Sequence, residues 1–173
     1  MEFKEQLTFA IADAVRNILP ELYASGEHFY YITLVAIEEP TAFCLSAWSK
    51  EALDKVDPED APYVKWSYAD SPYNCIGQEH FNAVQAMLDE RSLYDMDDDA
   101  FDAECELRLS AMETAMRLLD SEGLFAKNQP RDSVLVAAEI MPPDASNTER
   151  VSRLNDQKTA IFREWLEEAA ETE

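Results

Sequence analysis

The residues that carry most enzyme chemistry are scarce in this sequence. Its 173 residues include two His, three Cys and three Gly. His28 and His80 are the only imidazole bases for nucleophilic catalysis, and no Gly-x-Ser-x-Gly turn is present to expose a serine nucleophile. The glycines are widely spaced, which excludes the loops of clustered glycines that bind phosphate groups. We therefore identify no catalytic residue and expect no cofactor.

The spacing of cysteine and histidine excludes the usual transition-metal sites. Cys44, Cys75 and Cys105 are odd in number and contain no Cys-x-x-Cys pair, and no His or Cys lies two to four residues from another. The same spacing argues against a framework of disulfides. We therefore predict neither a metal site of this type nor a disulfide-based fold.

Basic residues are also few. The sequence has 14 Lys and Arg against 36 Asp and Glu, which gives a formal net charge of -22. Because Lys and Arg supply most of the affinity for nucleic-acid phosphates, direct binding of DNA or RNA is not expected. Such an acidic surface would instead attract a basic protein and speed its approach. Solubility is the simpler explanation of the same charge.

Long apolar runs are missing as well. The longest, from Phe29 to Ile37, is interrupted by Thr33 and is far shorter than the roughly 20 residues of a membrane-spanning helix. Acidic residues at Glu2 and Glu5 interrupt the N-terminal apolar positions, which fits neither a secretory signal nor a transit peptide. We therefore predict a cytoplasmic protein that does not bind membranes.

Apolar residues are numerous enough for one folded domain. They make up 47% of the chain against 29% charged residues, which is too apolar for intrinsic disorder. Neither an internal repeat nor a Gly/Ser linker divides the sequence. We therefore expect a single domain over residues 1–173, with a frayed charged tail after about residue 167.

Helices are predicted where apolar residues recur at steps of three and four. Four stretches show this pattern and should each bury one face, and a shorter helix should begin at Ser49, whose side chain can cap it. The four stretches cover residues 3–22, 81–88, 101–119 and 151–165.

Strands are predicted from dense apolar and aromatic runs. Residues 28–37 and 42–48 should form a buried hairpin, and residues 133–141 a further buried strand. The alternation of Val64, Trp66 and Tyr68 with polar residues predicts a half-buried strand over residues 64–68. The order of these elements favours an α+β fold, with a small mixed or antiparallel sheet packed by about five helices.

The Asp-rich segment that begins at Asp95 is the first candidate for a ligand site. It places Asp95, Asp97 and Asp99 at positions 1, 3 and 5, and Glu106 at position 12, of a helix-loop-helix calcium motif. Ala100 stands where the tight turn of that motif needs glycine, so the acids should not converge on one ion. The alternative is that the acidic turn stabilises the start of a helix through the helix dipole.

The stretch WSYADSPYN, residues 66–74, is the second candidate. Asp70 is the carboxylate best placed for acid-base work, because Trp66 and Tyr73 lie near it in sequence. Tyr73 and Asn74 could also present a rigid amphipathic patch that anchors a partner or ligand. The alternative is a packed turn, in which Trp66 and Tyr68 enter the core and Asp70 or Ser71 caps the turn that proline stiffens.

Five stretches spread over nearly the whole chain look familiar together. They read HFYYITLVAI, SKEAL, WSYADSPYN, GLFAKNQPRDSVLVAAEI and SRLN. Together they resemble an uncharacterised bacterial family of small acidic cytoplasmic proteins, of the domain of unknown function 4303 type. The resemblance implies a compact α+β fold and no assigned activity, and no functional residue can be carried over from it. Such families often resemble the small acidic proteins of toxin-immunity loci.

Three functions follow from these observations. The first is a non-catalytic acidic domain that binds a basic protein partner, for example an immunity protein that neutralises a basic toxin. The second is a small enzyme or ligand-binding domain with a cleft near Trp66, Asp70 and Tyr73. The third is a weak calcium-binding protein. For the first function, the predicted contact residues are Asp95, Asp97, Asp98, Asp99, Asp102, Trp66, Asp70, Tyr73 and Asn74.

Overall fold

A four-stranded mixed sheet forms the centre of the molecule in the computed structural model, which describes residues 2–171. Its strands are β1 (Phe29–Ile37), β2 (Ala42–Ser49), β3 (Tyr73–Ile76) and β4 (Leu135–Met141), in the order β3-β2-β1-β4. β1 pairs antiparallel with β2, through the predicted hairpin, and parallel with β4, while β2 pairs antiparallel with β3. The predicted α+β fold is confirmed.

Seven α-helical segments of the described chain cover this sheet. Five of them have eight residues or more and two are single turns. The number of longer helices agrees with the prediction of about five, but the single closing helix predicted over residues 151–165 is wrong, because the chain forms two helices there, Ala145–Leu154 and Ala160–Glu168. The longer helices are α1 (Phe3–Tyr23), α4 (Asn82–Asp89), α5 (Asp98–Ser121), α6 (Ala145–Leu154) and α7 (Ala160–Glu168), and the single turns are α2 (Lys50–Leu53) and α3 (Ala61–Val64). Ser49 caps α2 as predicted, because its hydroxyl accepts a hydrogen bond from the Ala52 amide.

The sheet separates two apolar cores, because neighbouring residues of a strand point to opposite faces. Ile32 and Leu34 of β1 pack with α1, α4 and α5 on what is here called the α1 face. Tyr31 points the other way and packs with Trp48, α6 and α7 on what is here called the α7 face. Because both faces are covered, β1 is an almost continuous apolar run rather than an alternating one.

The strand predicted over Val64, Trp66 and Tyr68 is wrong. Residues Ala61–Val64 form α3, and the third strand starts only at Tyr73. Pro62 lies in the first turn of α3, where its fixed φ favours a helix. Val64 and Trp66 do share a buried side, since both pack on the α7 face, but they reach it from a helical turn and the loop after it.

Cys44 and Cys75 form a disulfide between β2 and β3, with their Cα atoms 4.9 Å apart. The cysteine spacing argued against a framework of disulfides and gave no sign of this single bond. The two residues are 31 positions apart in sequence, and the pairing of β3 with β2 brings them together. Because β3 is absent from the sequence-based prediction, the pair could not be predicted either. Cys105 is free.

The edge of the sheet at β4 is covered by side chains of α6 and of the residue after it. The contacts join Asn155 to Val136, Arg150 to Ala138, and Asn147 to Ile140. Each asparagine bonds both the N–H and the C=O of its strand residue, over 2.7–3.0 Å. These backbone groups belong to alternate residues on the side of β4 away from β1, so the side chains take the place of a further strand.

A fully buried arginine joins three parts of the α1 face. Arg108 of α5 is 1% exposed, and its Nε lies 3.1 Å from Oε1 of Glu104, one helical turn earlier. Its other guanidinium nitrogens donate hydrogen bonds to the backbone carbonyls of Pro40, Leu88 and Arg91. Arg108 therefore links α5 to the C-terminal end of α4 and to the turn between β1 and β2.

Gly77, directly after β3, has the left-handed backbone conformation, with φ +59°. A side chain is strained in this conformation, and a Cβ atom here would also lie 2.6 Å from Ile18 Cγ1 of α1. We expect Gly77→Ala to lower the free energy of unfolding, measured by urea denaturation, by about 1–3 kcal/mol through backbone strain alone. The contact with Ile18 should add to this loss.

Gly26→Ala is the matched control for this prediction. Gly26 also has a positive φ, +75°, but a Cβ atom added there would meet no other atom within 4 Å. The control should therefore show the backbone strain without the contact. Equal losses of stability in the two variants would contradict the proposed role of Ile18.

The predicted frayed tail after about residue 167 is described in part. α7 continues to Glu168, and the Glu171 carbonyl accepts a hydrogen bond from the Thr148 hydroxyl at 2.8 Å. Residues 172 and 173 lie outside the described residues, so the fraying stays a prediction. Within residues 2–171, no helix combines the length and the hydropathy that crossing a membrane requires.

Candidate functional site

All five aspartates of the Asp-rich segment are exposed, at or near the start of α5. Asp97 is the N-cap of this helix, and its carboxylate accepts a hydrogen bond from the Ala100 amide at 3.0 Å. Asp98 and Asp99 lie in the first helical turn, where the helix dipole stabilises negative charge. The predicted role of this segment in starting a helix is therefore confirmed.

Four of these aspartates have carboxylates that the fold does not use. Within residues 2–171, no hydrogen bond or ion pair involves the side chains of Asp95, Asp98, Asp99 and Asp102. Tyr94, directly before them, is 81% exposed. The same described residues contain no group of three His, Cys, Asp or Glu side chains arranged to hold a metal ion. The segment is thus a free acidic surface with an aromatic residue at its border.

Trp66 is the interior member of the 66–74 segment. Its ring packs edge to face against Tyr30 and Tyr31, with centroid distances of 5.5 and 5.6 Å. Its indole N–H donates a hydrogen bond to a carboxylate oxygen of Glu168 at 2.8 Å. Trp66 therefore ties the loop after α3 to β1 and α7, as the packed-turn alternative expects of a core residue.

The other members of the segment lie nearer to the surface. Tyr73 packs against Phe29, with ring centroids 5.1 Å apart, and its hydroxyl donates to Glu27 at 2.8 Å. Hydrogen bonds from the Ser49 and Tyr73 hydroxyls hold the pKa of Glu27 below its usual value. Asp70 and Asn74 are exposed. Asp70 therefore lacks the apolar enclosure that acid-base work would require.

Two separate cavities flank this segment in place of the single cleft predicted near Trp66, Asp70 and Tyr73. Asp70 and Tyr73 line a cavity of about 420 Å³ together with Glu27. Trp66 lines a different cavity, of about 240 Å³. The structure brings Asp70 and Tyr73 together but places Trp66 elsewhere.

The predicted contact residues do not form one surface. The aspartates lie at or near the start of α5, which packs on the α1 face, whereas Trp66 packs on the α7 face. A single flat contact therefore cannot include both groups, because the sheet lies between the two faces.

Glu139 of β4 is a buried carboxylate that sequence reasoning missed. It is 6% exposed, lines the cavity of Trp66, and accepts hydrogen bonds at Oε2 from the hydroxyls of Tyr31 and Thr33. Burial raises the pKa of Glu139 above its usual value. The available signal was an acid inside the apolar run SVLVAAEIM, at a position that alternation places on the same face as Leu135 and Ala137.

A further concavity, of about 940 Å³, has a mixed lining. Lysine ammonium groups and carboxylates both line it, and they leave no clear preference for a ligand of either charge. They are Lys50, Lys65, Lys158, Asp54, Asp132, Asp156 and Glu164. Lys65 and Glu164 already form an ion pair with each other, so these two charges are not free to bind a ligand. The smaller cavity at Glu139 is therefore the better candidate for a ligand site.

Comparison with known proteins identifies one family and nothing closer. The family model described as "Domain of unknown function (DUF4303)" matches residues 8–156, from α1 to the residues after α6. The comparisons with curated proteins and with solved structures gave no match. The matched range includes every predicted contact residue and Glu139, but not α7.

Proposed function

The chain belongs to this family of domains of unknown function, and we propose that it is a non-catalytic binding protein for a basic protein partner. The observation that supports this best is the acidic surface at the start of α5. Its carboxylates at Asp95, Asp98, Asp99 and Asp102 are exposed and make no ion pair among the described residues. Tyr94 supplies an exposed aromatic ring of the kind that anchors protein contacts.

The overall charge of the molecule supports the same proposal. A net charge of -22 creates a long-range field that raises the rate of encounter with a cationic macromolecule. Most arginines pair with other carboxylates of the protein, as Arg16 does with Glu122. They therefore do not neutralise the free aspartates at the start of α5. An immunity protein that neutralises a basic toxin in the cytoplasm is one function of this class.

A calorimetric titration with candidate basic proteins, for example any that is encoded beside this gene, tests the proposal. We expect binding that weakens strongly when the salt concentration rises from about 0.05 to 0.5 M, because salt screens exposed charges. Replacing Asp98, Asp99 and Asp102 together by Asn should weaken binding at low salt. Asp97 is left in place because it caps α5.

The matched control removes the same number of exposed carboxylates elsewhere. Asp54→Asn, Glu59→Gln and Asp60→Asn change exposed residues that form no ion pair among the described residues. This variant should bind much more tightly than the Asp98, Asp99 and Asp102 variant. Salt-independent binding, absent binding, or equal losses in the two variants would contradict the proposal.

A further inference from the structure

We propose that the cavity around Glu139 binds one organic cation, an alkylammonium or guanidinium group, supplied by a small amine or by a Lys or Arg side chain. This site lies on the α7 face and does not depend on the proposed binding by the acidic surface of α5. The argument uses the state of Glu139, the rings around it, the charge of the lining and the size of the cavity.

Glu139 presents a carboxylate oxygen to the cavity. Oε2 accepts the hydroxyls of Tyr31 and Thr33, whereas no donor within residues 2–171 reaches Oε1. No fully enclosed side-chain N or O atom of the described residues lacks a hydrogen-bond partner, so Oε1 must be open to the cavity that Glu139 lines. A buried acceptor of this kind needs a donor, and a cationic N–H group is the strongest one.

Aromatic rings form the walls of the cavity. Trp66, Trp165 and the highly exposed Tyr63 line it. Such rings attract cations through their negative faces. The protein already shows this property, because Lys65 Nζ lies 5.1 Å from the centroid of the Trp66 ring.

The charge of the lining has one sign. Glu139, Glu168 and Glu171 line the cavity, and no Lys or Arg is among its described lining residues. Two bases that contact lining residues, Lys65 and Arg150, have partners already. Lys65 donates to Glu164 and Glu168, and Arg150 donates to the Ala138 carbonyl and to Asn147. The cavity therefore favours a positive ligand over a neutral or negative one.

The size of the cavity fits a single side-chain-sized group. Its volume of about 240 Å³ lies below the roughly 300–1,000 Å³ of sites for drug-sized ligands. A butylammonium ion or the end of a Lys or Arg side chain can enter, whereas a nucleotide cannot. Selection for charge and size together defines the ligand class.

Proton linkage gives the site a characteristic pH dependence. The groups that face Glu139 are Tyr31 from β1, Arg150 from α6, and Glu168 and Glu171 from the C-terminal residues. Burial raises the pKa of Glu139 above its usual value, and a bound cation stabilises the ionised form, so cation binding and ionisation of Glu139 are linked. The affinity for a cation should therefore rise with pH through the pKa of Glu139.

The experiment titrates the full chain with n-butylammonium, n-butylguanidinium and the neutral n-butanol, followed by calorimetry and tryptophan fluorescence. We expect both cations, but not butanol, to bind and to change the fluorescence. We expect Glu139→Gln to weaken cation binding at least about tenfold, because the charge-assisted hydrogen bond is lost, and to abolish the rise of affinity with pH. A short peptide that contains one Lys is compared with the same peptide that contains Met instead. Binding of the Lys peptide alone would indicate that the site accepts a Lys side chain and not only a free amine.

Two further variants keep the outcome interpretable. Glu171→Gln changes a lining carboxylate at the cavity mouth and should weaken cation binding several-fold without loss of fold, which a melting curve checks. The Asp98, Asp99 and Asp102 variant should bind the cations as the wild type does. Equal binding of butanol, no binding of either cation, or unchanged binding by folded Glu139→Gln protein would overturn this proposal and leave the one for α5 standing.

Discussion

Replacing Arg108 with methionine should lower the free energy of unfolding by about 3–5 kcal/mol, the usual loss when one partner of a buried ion pair is removed. Arg108 is 1% exposed, and its partner Glu104 is buried as well. The substitution also removes the guanidinium donors of the backbone carbonyls of Pro40 and Arg91. Urea denaturation measures the effect.

Arg117→Met is the matched control for this expectation. Arg117 lies on the same helix and also pairs with a glutamate four residues earlier, Glu113, but its side chain is largely exposed. Glu113 keeps Arg153 as a second partner, so removal of the exposed Arg117 guanidinium should cost only about 0–1 kcal/mol. A loss at Arg108 no larger than the loss at Arg117 would contradict a role for the buried pair in stability.

The pH dependence of stability gives a second measurement on the same pair. Burial alone would raise the pKa of Glu104, but hydrogen bonds from Arg91 and Arg108 outweigh it and hold the pKa below its usual value. A carboxylate with a depressed folded-state pKa stabilises the fold above its unfolded pKa, and this stability is lost as the pH falls. The difference between the wild type and Arg108→Met should therefore shrink below about pH 4.

Replacing Asn155 with leucine should uncover the edge of β4 and cost about 1–3 kcal/mol for each backbone group left without a partner. Asn155 accepts a hydrogen bond from the Val136 N–H at 3.0 Å and donates to its C=O at 2.7 Å. Val136 is fully buried, so water cannot take over these bonds. We also expect more light scattering from the variant, since an open strand edge can pair with another molecule.

Hydrogen exchange distinguishes this local effect from a general loss of stability. The Val136 amide should exchange faster in Asn155→Leu, and the Ile140 amide should exchange faster in Asn147→Leu. Because the two strand positions are about 13 Å apart, their losses of stability should add.

Asn17→Leu is the control, since it adds the same apolar side chain at an exposed position of α1. Scattering by this control equal to that of Asn155→Leu would show that the added leucine, rather than the open edge, causes association.

The sequence predicted the elements whose residue patterns are long and regular. β1, β2, β4 and the helices around them follow from apolar runs and helical spacing, because their burial is nearly continuous. β3 has four residues, and Cys75 within it has a positive φ of 45°. Such a short and irregular strand leaves no pattern, and only its pairing with β2 defines it.

The candidate sites were predictable to different degrees. The exposure and capping role of the Asp-rich segment follow from local rules, because a run of acids before an apolar helix suits the positive end of the helix dipole. The enclosure of Glu139 depends on α7 and on the loop after α3 packing over β4. Those contacts join residues far apart in the sequence, such as Trp66 and Glu168, and no spacing rule reveals them.

The parallel pairing of β1 with β4 constrains the order in which the sheet can form during synthesis. Tyr31 of β1 pairs with Leu135 of β4, which follows it by about 100 residues. β1 can therefore pair with β4 only after most of the chain has left the ribosome. The β1–β2 hairpin can form early, whereas β4 closes a long loop late. Until then the edge of β1 that pairs with β4 is open, and the nascent chain is most prone to misassembly during this interval.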